Sequence, residues 1–395
     1  MKKIAIVVQR YGMEVTGGAE QYSRMVAERL TSFYDVEVLT SCALDYISWE
    51  NHYHEGVSDV NGVSVRRFAA ERTRDVHEFR KLTEQIIANG SVQAEEIWID
   101  EQGPYCPELI NYIDTCKDNY DVFIFITYLY YTTVRGMCKV REKAIFIPTV
   151  HDEYAIYFRI FDDIFNSPRA IIFLTEEEQA FTHYLFRNSS IPSNIIGLGI
   201  ETPDKPDPSA FKAKYGLDEY ILYTGRIDRS KNCPELFNYF IEYKKRNPTG
   251  LKFVLMGKEF AEIPKHPDII SLGFVNEEDK HNGMAGAKLF VMPSIYESLS
   301  IVVLESMALG VPVVINGKCH VVKGHCLKSN AGLYYNDYYE FEGCINYLTS
   351  HDDIYSIMSQ NSKNYIRTNY HWDDIINKFR GIIEMCNMKD NGVVR

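Results

Sequence analysis

Short apolar runs alternate along this chain with segments of helical periodicity. In the first half Ile4 to Val8, Val36 to Thr40, Val63 to Phe68, Val122 to Thr127, Ala144 to Val150 and Ala170 to Leu174 read as strands. Several are apolar throughout, as parallel strands covered on both faces are. Helical patterns lie between them, such as Ala19 to Leu30 and Glu176 to Phe186, the latter opened by three glutamates at its positive end. The Pro-rich segment Glu201 to Pro208 reads as a linker. Beyond it come strands Tyr220 to Thr224, Leu251 to Met256, Ile269 to Leu272, Leu289 to Met292 and Val311 to Ile315. Helices are expected at about Pro234 to Arg246, Glu277 to Ala285 and Ser300 to Leu309, and finally at Ile354 to Asn369 and Trp372 to Met388. The pattern predicts an α/β protein of two doubly wound, Rossmann-like domains, residues 1–203 and 204–370, with the C-terminal ends of both sheets facing across a cleft. The last helix, within 371–395, is expected to cross back onto the first domain.

Length agrees with two domains: 395 residues exceed what one core usually supports, and 46% hydrophobic with 24% charged residues is ordinary soluble composition. No uninterrupted apolar run is long enough to span a bilayer, and the opening Met1 to Val8 runs into polar Gln9-Arg10 without a cleavage pattern, so a cytoplasmic location is expected. Nine scattered cysteines, odd in number, fit reduced thiols. A formal charge of −12 argues against a nucleic-acid polymer as partner but leaves a mononucleotide open.

The most informative stretch is Glu297-Ser-Leu-Ser-Ile-Val-Val-Leu-Glu305, which runs on to Gly310-Val-Pro312. It sets two carboxylates around an expected helix start. At ~1.5 Å per residue they lie on the order of 12 Å apart, the reach from a ribose across a diphosphate to a sugar. Ser298 is the candidate cap, and the N–H groups of Leu299 and Ser300 would then face an anion. Two solvated glutamates on an ordinary amphipathic helix are the bland alternative. Against it, Glu305 interrupts an apolar run of Val302, Val303, Leu304, Met307, Ala308 and Leu309, and a buried carboxylate needs a partner.

Further features fall at strand ends. Tyr11 to Glu20 carries Gly17-Gly18 between a strand and a helix, where backbone approaches a phosphate closely or simply turns. Gly225-Arg226, with Lys231 five residues after Arg226, offers two cations to a diphosphate, a solvated basic turn being the rival. His151 ends an apolar strand, suited to a sugar hydroxyl or a leaving phosphate, or to a purely structural bond. Leu255-Met-Gly257-Lys258 and Gly273-Phe-Val275-Asn276 are suited to holding a base through backbone groups. No Asp-x-Asp triplet is present for a diphosphate-bound metal. Cys319, His320, His325 and Cys326 invite a zinc reading, but ligand pairs so close together rarely close a tetrahedron.

Together the Gly-Gly-Ala-Glu loop, His151, Gly225-Arg226 with Lys231, and Glu297-x7-Glu305 with Gly310-Val-Pro312 resemble the motifs of glycosyltransferase family 4, retaining enzymes of the GT-B fold. The order matches from residue 17 to about 335. The resemblance implies that Glu305 binds the nucleotide ribose and that Arg226 and Lys231 bind the diphosphate. Glu297, with Ser298 and the N–H groups of Leu299 and Ser300, would take the donor sugar and distal phosphate, Val275 the base side, and His151 the sugar near its reacting carbon. Gly17 and Gly18 would close over the phosphates, with Gly225 beside them. The family's usual Gly-x-Gly is Gly257-Lys258-Glu259 here. His151, Glu297, Arg226 and Lys231 are the expected catalytic set, with no metal and no cofactor beyond the nucleotide-sugar substrate.

The acceptor is expected to be a saccharide or a lipid-linked glycan. Tyr46, Trp49, His52, Tyr53, His54, Tyr128, Tyr130 and Tyr131 supply rings for sugar faces or for packing. Arg66, Arg67, Arg72, Arg74, Arg80 and Lys81 form a local basic run that suits a peripheral contact at the inner membrane face, or a solvated helix face. Other expected functions are a nucleotide-sugar epimerase, a synthase acting on a sugar phosphate, and a non-catalytic two-domain sugar-binding protein.

Overall fold

The computed structural model describes residues 1–387, which divide into two compact units: Met1–Leu198 with the residues from Asp373 on, and Gly199–Trp372. The chain therefore changes unit at 198/199 and 372/373, against the sequence boundaries at 203 and 370.

The first unit holds β1 (Lys3–Val7), β2 (Asp35–Ser41), β3 (Gly56–Val60), β4 (Val63–Phe68), β5 (Val122–Ile126), β6 (Ala144–Ile147), β7 (Ala170–Phe173) and β8 (Ser193–Ile195). Their order is β3-β4-β2-β1-β5-β6-β7-β8, parallel throughout except where β3 runs against β4. Every residue of β5, β6 and β7 is buried, which is why these strands are apolar without alternation. Each such side chain contributes about 1.5 to 3 kcal/mol by leaving water. The sequence places β6 as far as Val150, but it ends at Ile147. Pro148 has no N–H for the ladder, and Thr149 takes a left-handed φ of 54°. The helix Trp372–Asn387 enters this unit with Ile375, Phe379 and Ile383 fully buried. Lys2 pairs with Glu384, and Arg380 lies over the Phe33 ring at 4.5 Å. Met388, the expected end of this helix, lies outside the described residues.

The second unit is one parallel sheet of β9 (Tyr220–Thr224), β10 (Lys252–Met256), β11 (Ile269–Ser271), β12 (Leu289–Met292), β13 (Val313–Asn316) and β14 (Gly332–Tyr335), ordered β11-β10-β9-β12-β13-β14. In both units successive strands lie on either side of the first one, so loops at their C-terminal ends diverge around a topological switch point, at β1 and at β9. In the second unit the turn after β9 and the loop after β12 start from neighbouring strands.

Candidate functional site

Two loops of the second unit bring charge together. After β9, Asp228 organises the basic turn: its Oδ1 accepts from the Lys231 N–H at 2.8 Å and the Ser230 hydroxyl at 2.8 Å, and its Oδ2 lies 3.5 Å from Arg226 Nε. After β12, the chain at 293–300 is tied down by Asn316 and Asn232, whose Nδ2 groups donate to the Pro293 carbonyl at 3.1 and 3.4 Å. The loops meet where Lys231 Nζ donates to Glu297 Oε1 at 2.7 Å. The structure thus pairs Lys231 with Glu297, while Arg226 lies on the same turn beside Asp228.

The helix after this loop is Ile301–Ala308, so it begins later than expected. Its N-cap is Ser300, at a left-handed φ of 64° and with no side-chain capping bond. Ser298 is therefore not the cap, and Leu299 and Ser300 lie ahead of the first turn instead of within it. The left-handed turn at Ser300 moves the helix start forward. His325 holds the bend: fully buried, its Nε2 donates to the Leu299 carbonyl at 2.9 Å, and its Nδ1 accepts from the Tyr365 hydroxyl at 3.1 Å. Burial pushes the His325 ring down to about 4, so it is neutral at pH 7 and the carbonyl fixes the proton on Nε2. Cys319 caps and Cys326 sits within the helix His320–Ser329, both buried, so the zinc-like spacing is spread along helical turns.

Glu305 is buried on this helix, as the apolar run required. Its partner is Lys280, from the helix Glu277–Gly286, whose Nζ donates to Oε1 at 3.1 Å and also reaches Glu277 Oε2 at 2.6 Å. Burial raises the Glu305 carboxyl above its ordinary value and Lys280 pulls it back. Burial works against the charge on Lys280, but Glu305 and Glu277 raise it overall. Glu277, His281 and Glu305 bring ligand atoms within 4.8 Å of one another and could reach one ion. The Lys280 ammonium lies between the two carboxylates and offsets one of their two charges.

At the ends of β9 and β10, Gly225 (φ 144°) and Gly257 (φ 148°) lace the strand ends together. The Gly225 N–H donates to Met256 at 2.9 Å and the Gly257 N–H to Gly273 at 2.8 Å. A Cβ on Gly257 would stand 1.8 Å from the Gly225 carbonyl oxygen, so no side chain fits. Val275, half-buried, follows two residues after Gly273.

Gly17, Gly18 and His151 belong to the first unit. Gly17 caps the helix Gly18–Leu30 at φ 152°, over the buried Glu20, which Arg10 Nε and Gln9 Nε2 hold at 3.0 and 2.9 Å. A Cβ on Gly17 would meet Glu20 Oε2 at 2.2 Å, whereas one on Gly18 meets open space. His151 Nδ1 lies 3.3 Å from Glu153 Oε1, which accepts from the Tyr128 hydroxyl at 2.7 Å. Just before it, the Val150 N–H donates to buried Glu178 at 2.6 Å, and Glu178 takes the Leu174 N–H at the same distance. Burial pushes Glu178 up to about 8.

The acceptor-side candidates divide. Trp49, Tyr128 and Tyr131 are buried packing, Trp49 donating to the Gln102 carbonyl at 2.7 Å, while His52 and His54 are exposed. The basic run does not form one patch of open cations. Arg66 pairs with Glu37, Arg72 with Glu101, Arg80 with Glu84 and Lys81 with Glu78, while Arg67 bonds Tyr11 and Arg74 bonds Ile47 and Gln102. Sequence reasoning missed Lys280, Asn232, Asn316 and the anchoring role of His325; only the need of Glu305 for a partner pointed toward any of them. Among the described residues no helix is long and apolar enough to cross a membrane.

Residues 218–346 match the family described as Glycosyl transferases group 1, a range that holds Arg226, Lys231, Glu297 and Glu305. Among curated proteins the chain is similar to an uncharacterized glycosyltransferase of Methanocaldococcus jannaschii, 24% identical over 184 residues, 42% of this chain and 46% of that protein. It is also similar to the N-acetylgalactosamine-N,N'-diacetylbacillosaminyl-diphospho-undecaprenol 4-alpha-N-acetylgalactosaminyltransferase of Campylobacter jejuni, 31% identical over 106 residues, 25% of this chain and 27% of that protein. The chain thus spans less than half the length of these curated relatives. Among solved structures, sucrose-phosphate synthase from Thermosynechococcus elongatus aligns with a TM-score of 0.71 at 14% identity, over 98% of this chain and 99% of that one. Anabaena HepE in complex with UDP and glucose aligns at 0.68 and 13% identity, over 98% and 100%. These likenesses define the fold: an α/β chain of two Rossmann-like parts with the GT-B architecture, its second unit matching a glycosyltransferase group 1 domain.

Proposed function

We propose that this chain is a cytoplasmic, retaining glycosyltransferase moving a hexose or deoxyhexose from a nucleoside-diphosphate sugar to a glycan or lipid-linked saccharide, in surface polysaccharide assembly. The observation that carries the reading is the segment from Glu297 to Glu305. It holds one carboxylate against Lys231 and a second, buried, against Lys280, with Arg226 on the adjoining turn. Glu305 takes the ribose, Arg226 and Lys231 the diphosphate, and Glu297 the sugar. The acceptor assignment is supported by the names of the Campylobacter jejuni relative and of an O-antigen chain mannosyltransferase B of Escherichia coli, 30% identical over 117 residues.

The chemistry follows charge. The bond between the anomeric carbon and the β-phosphate oxygen breaks, leaving positive character on the sugar and negative charge on the phosphate, which Arg226 and Lys231 stabilise. The acceptor oxygen bonds the anomeric carbon from the same face, and its proton passes to the leaving phosphate. No step requires a metal.

A thermal-shift screen of nucleoside diphosphates and their sugars picks the donor, and NMR of the product reads its anomeric configuration. Stabilisation by one nucleotide, slow donor hydrolysis and a retained anomer are expected. Binding of sugars without nucleotide or turnover would mean a sugar-binding protein. An altered free nucleotide sugar would mean an epimerase, and transfer only to a sugar phosphate would mean a synthase.

A further inference from the structure

The Glu305 carboxylate is held from one side only. Lys280 fixes Oε1 at 3.1 Å, while Oε2 is buried and makes no hydrogen bond. A buried acceptor left so is costly unless a ligand supplies a donor. The other titratable groups facing it are Glu277 and His281. Glu277 is exposed and shares Lys280; His281 is half-buried, and burial together with the Lys280 charge lowers its pKa. Neither replaces Lys280 as a partner for Glu305.

Resting on the ribose assignment above, we propose that Lys280 is a positioning residue of the nucleotide subsite: by occupying Oε1 of Glu305 it leaves Oε2 turned to accept from a ribose hydroxyl. The lysine touches no substrate atom in this arrangement. Its charge also offsets the burial that favours the protonated carboxyl, so its loss makes the ribose contact depend on pH.

The test uses whichever of UDP, GDP or ADP stabilises the chain most, alongside its 2′,3′-dideoxy counterpart, with calorimetry from pH 6 to pH 9. Lys280→Met is expected to lose about tenfold in affinity for the ribonucleotide at pH 6, one charge-assisted contact. The loss should recover toward pH 9, with little change for the dideoxy ligand, and Lys280→Arg should bind as the parent does. Equal loss of both ligands at every pH, or no loss of either, overturns the proposal. If Glu305→Gln leaves the preference for the ribonucleotide intact, the ribose assignment itself has failed. If Lys280→Met does not fold, the double variant Lys280→Met/Glu305→Gln removes both charges. It should bind the ribonucleotide as Glu305→Gln does, and any further loss overturns the positioning role.

Discussion

Lys231 donates to Glu297 Oε1 across 2.7 Å and so ties the basic turn after β9 to the loop after β12. Without ligand, each charge neutralises the other. On the proposed reading, a diphosphate that recruits Lys231 would release Glu297 toward the sugar, so one ion pair would link the two ends of the donor.

Removing a cation should therefore show in diphosphate binding. Lys231→Ala and Arg226→Ala are each expected to weaken the nucleoside diphosphate about tenfold to a hundredfold, as loss of a charge-assisted contact of about 1.5 to 3 kcal/mol predicts. Free nucleoside should bind almost unchanged. Calorimetry on both variants checks this, and unaltered diphosphate affinity in both contradicts it.

The two glycines should separate fold from function. Gly17→Ala forces a Cβ against Glu20 at an unfavourable φ and should cost about 1 to 3 kcal/mol of stability. Gly18→Val meets open space in the protein, so its melting temperature should change little while donor turnover falls. Normal turnover in Gly18→Val would contradict a role for that loop in turnover.

Acid should loosen the bend at Leu299. His325 has a folded-state pKa near 4, below the ordinary 6.5, so the unfolded chain binds the extra proton and stability falls as pH drops from about 6.5 to 4. Glu178, whose pKa is raised, acts oppositely between its ordinary value and about 8, in parent and variant alike. Denaturant titrations of parent and His325→Gln should therefore diverge less at pH 4 than at pH 7. An unchanged difference contradicts a buried neutral His325.

Turnover should survive EDTA, because the reading gives the leaving charge to Arg226 and Lys231. Loss of activity restored by Mn²⁺, Mg²⁺ or Zn²⁺ would contradict that assignment and redirect attention to Glu277, His281 and Glu305.

The sheets were legible because their central strands are buried on both faces. Tyr220–Thr224 and Leu289–Met292 stand where the apolar runs put them. β3 was not legible: Gly56–Val60 is an exposed edge strand carrying Ser58 and Asp59, and only its antiparallel pairing with β4 makes it a strand. The burial of Glu305 could be read from its apolar neighbours. Its partner could not, since Lys280 lies 25 positions away in a helix opened by three acidic residues. Ser298 failed as a cap because capping is set by backbone angles, and a left-handed Ser300 has no signature in composition.

The central claim is that Glu305 holds the ribose and Glu297 the transferred sugar. Calorimetry of the nucleoside diphosphate with Glu297→Gln and Glu305→Gln, paired with turnover of the sugar donor, tests it most directly. Glu305→Gln should weaken diphosphate and donor alike by about tenfold or more, whereas Glu297→Gln should bind the diphosphate as the parent does and lose turnover. Equal weakening of the bare diphosphate in both variants would contradict the two-ended grip.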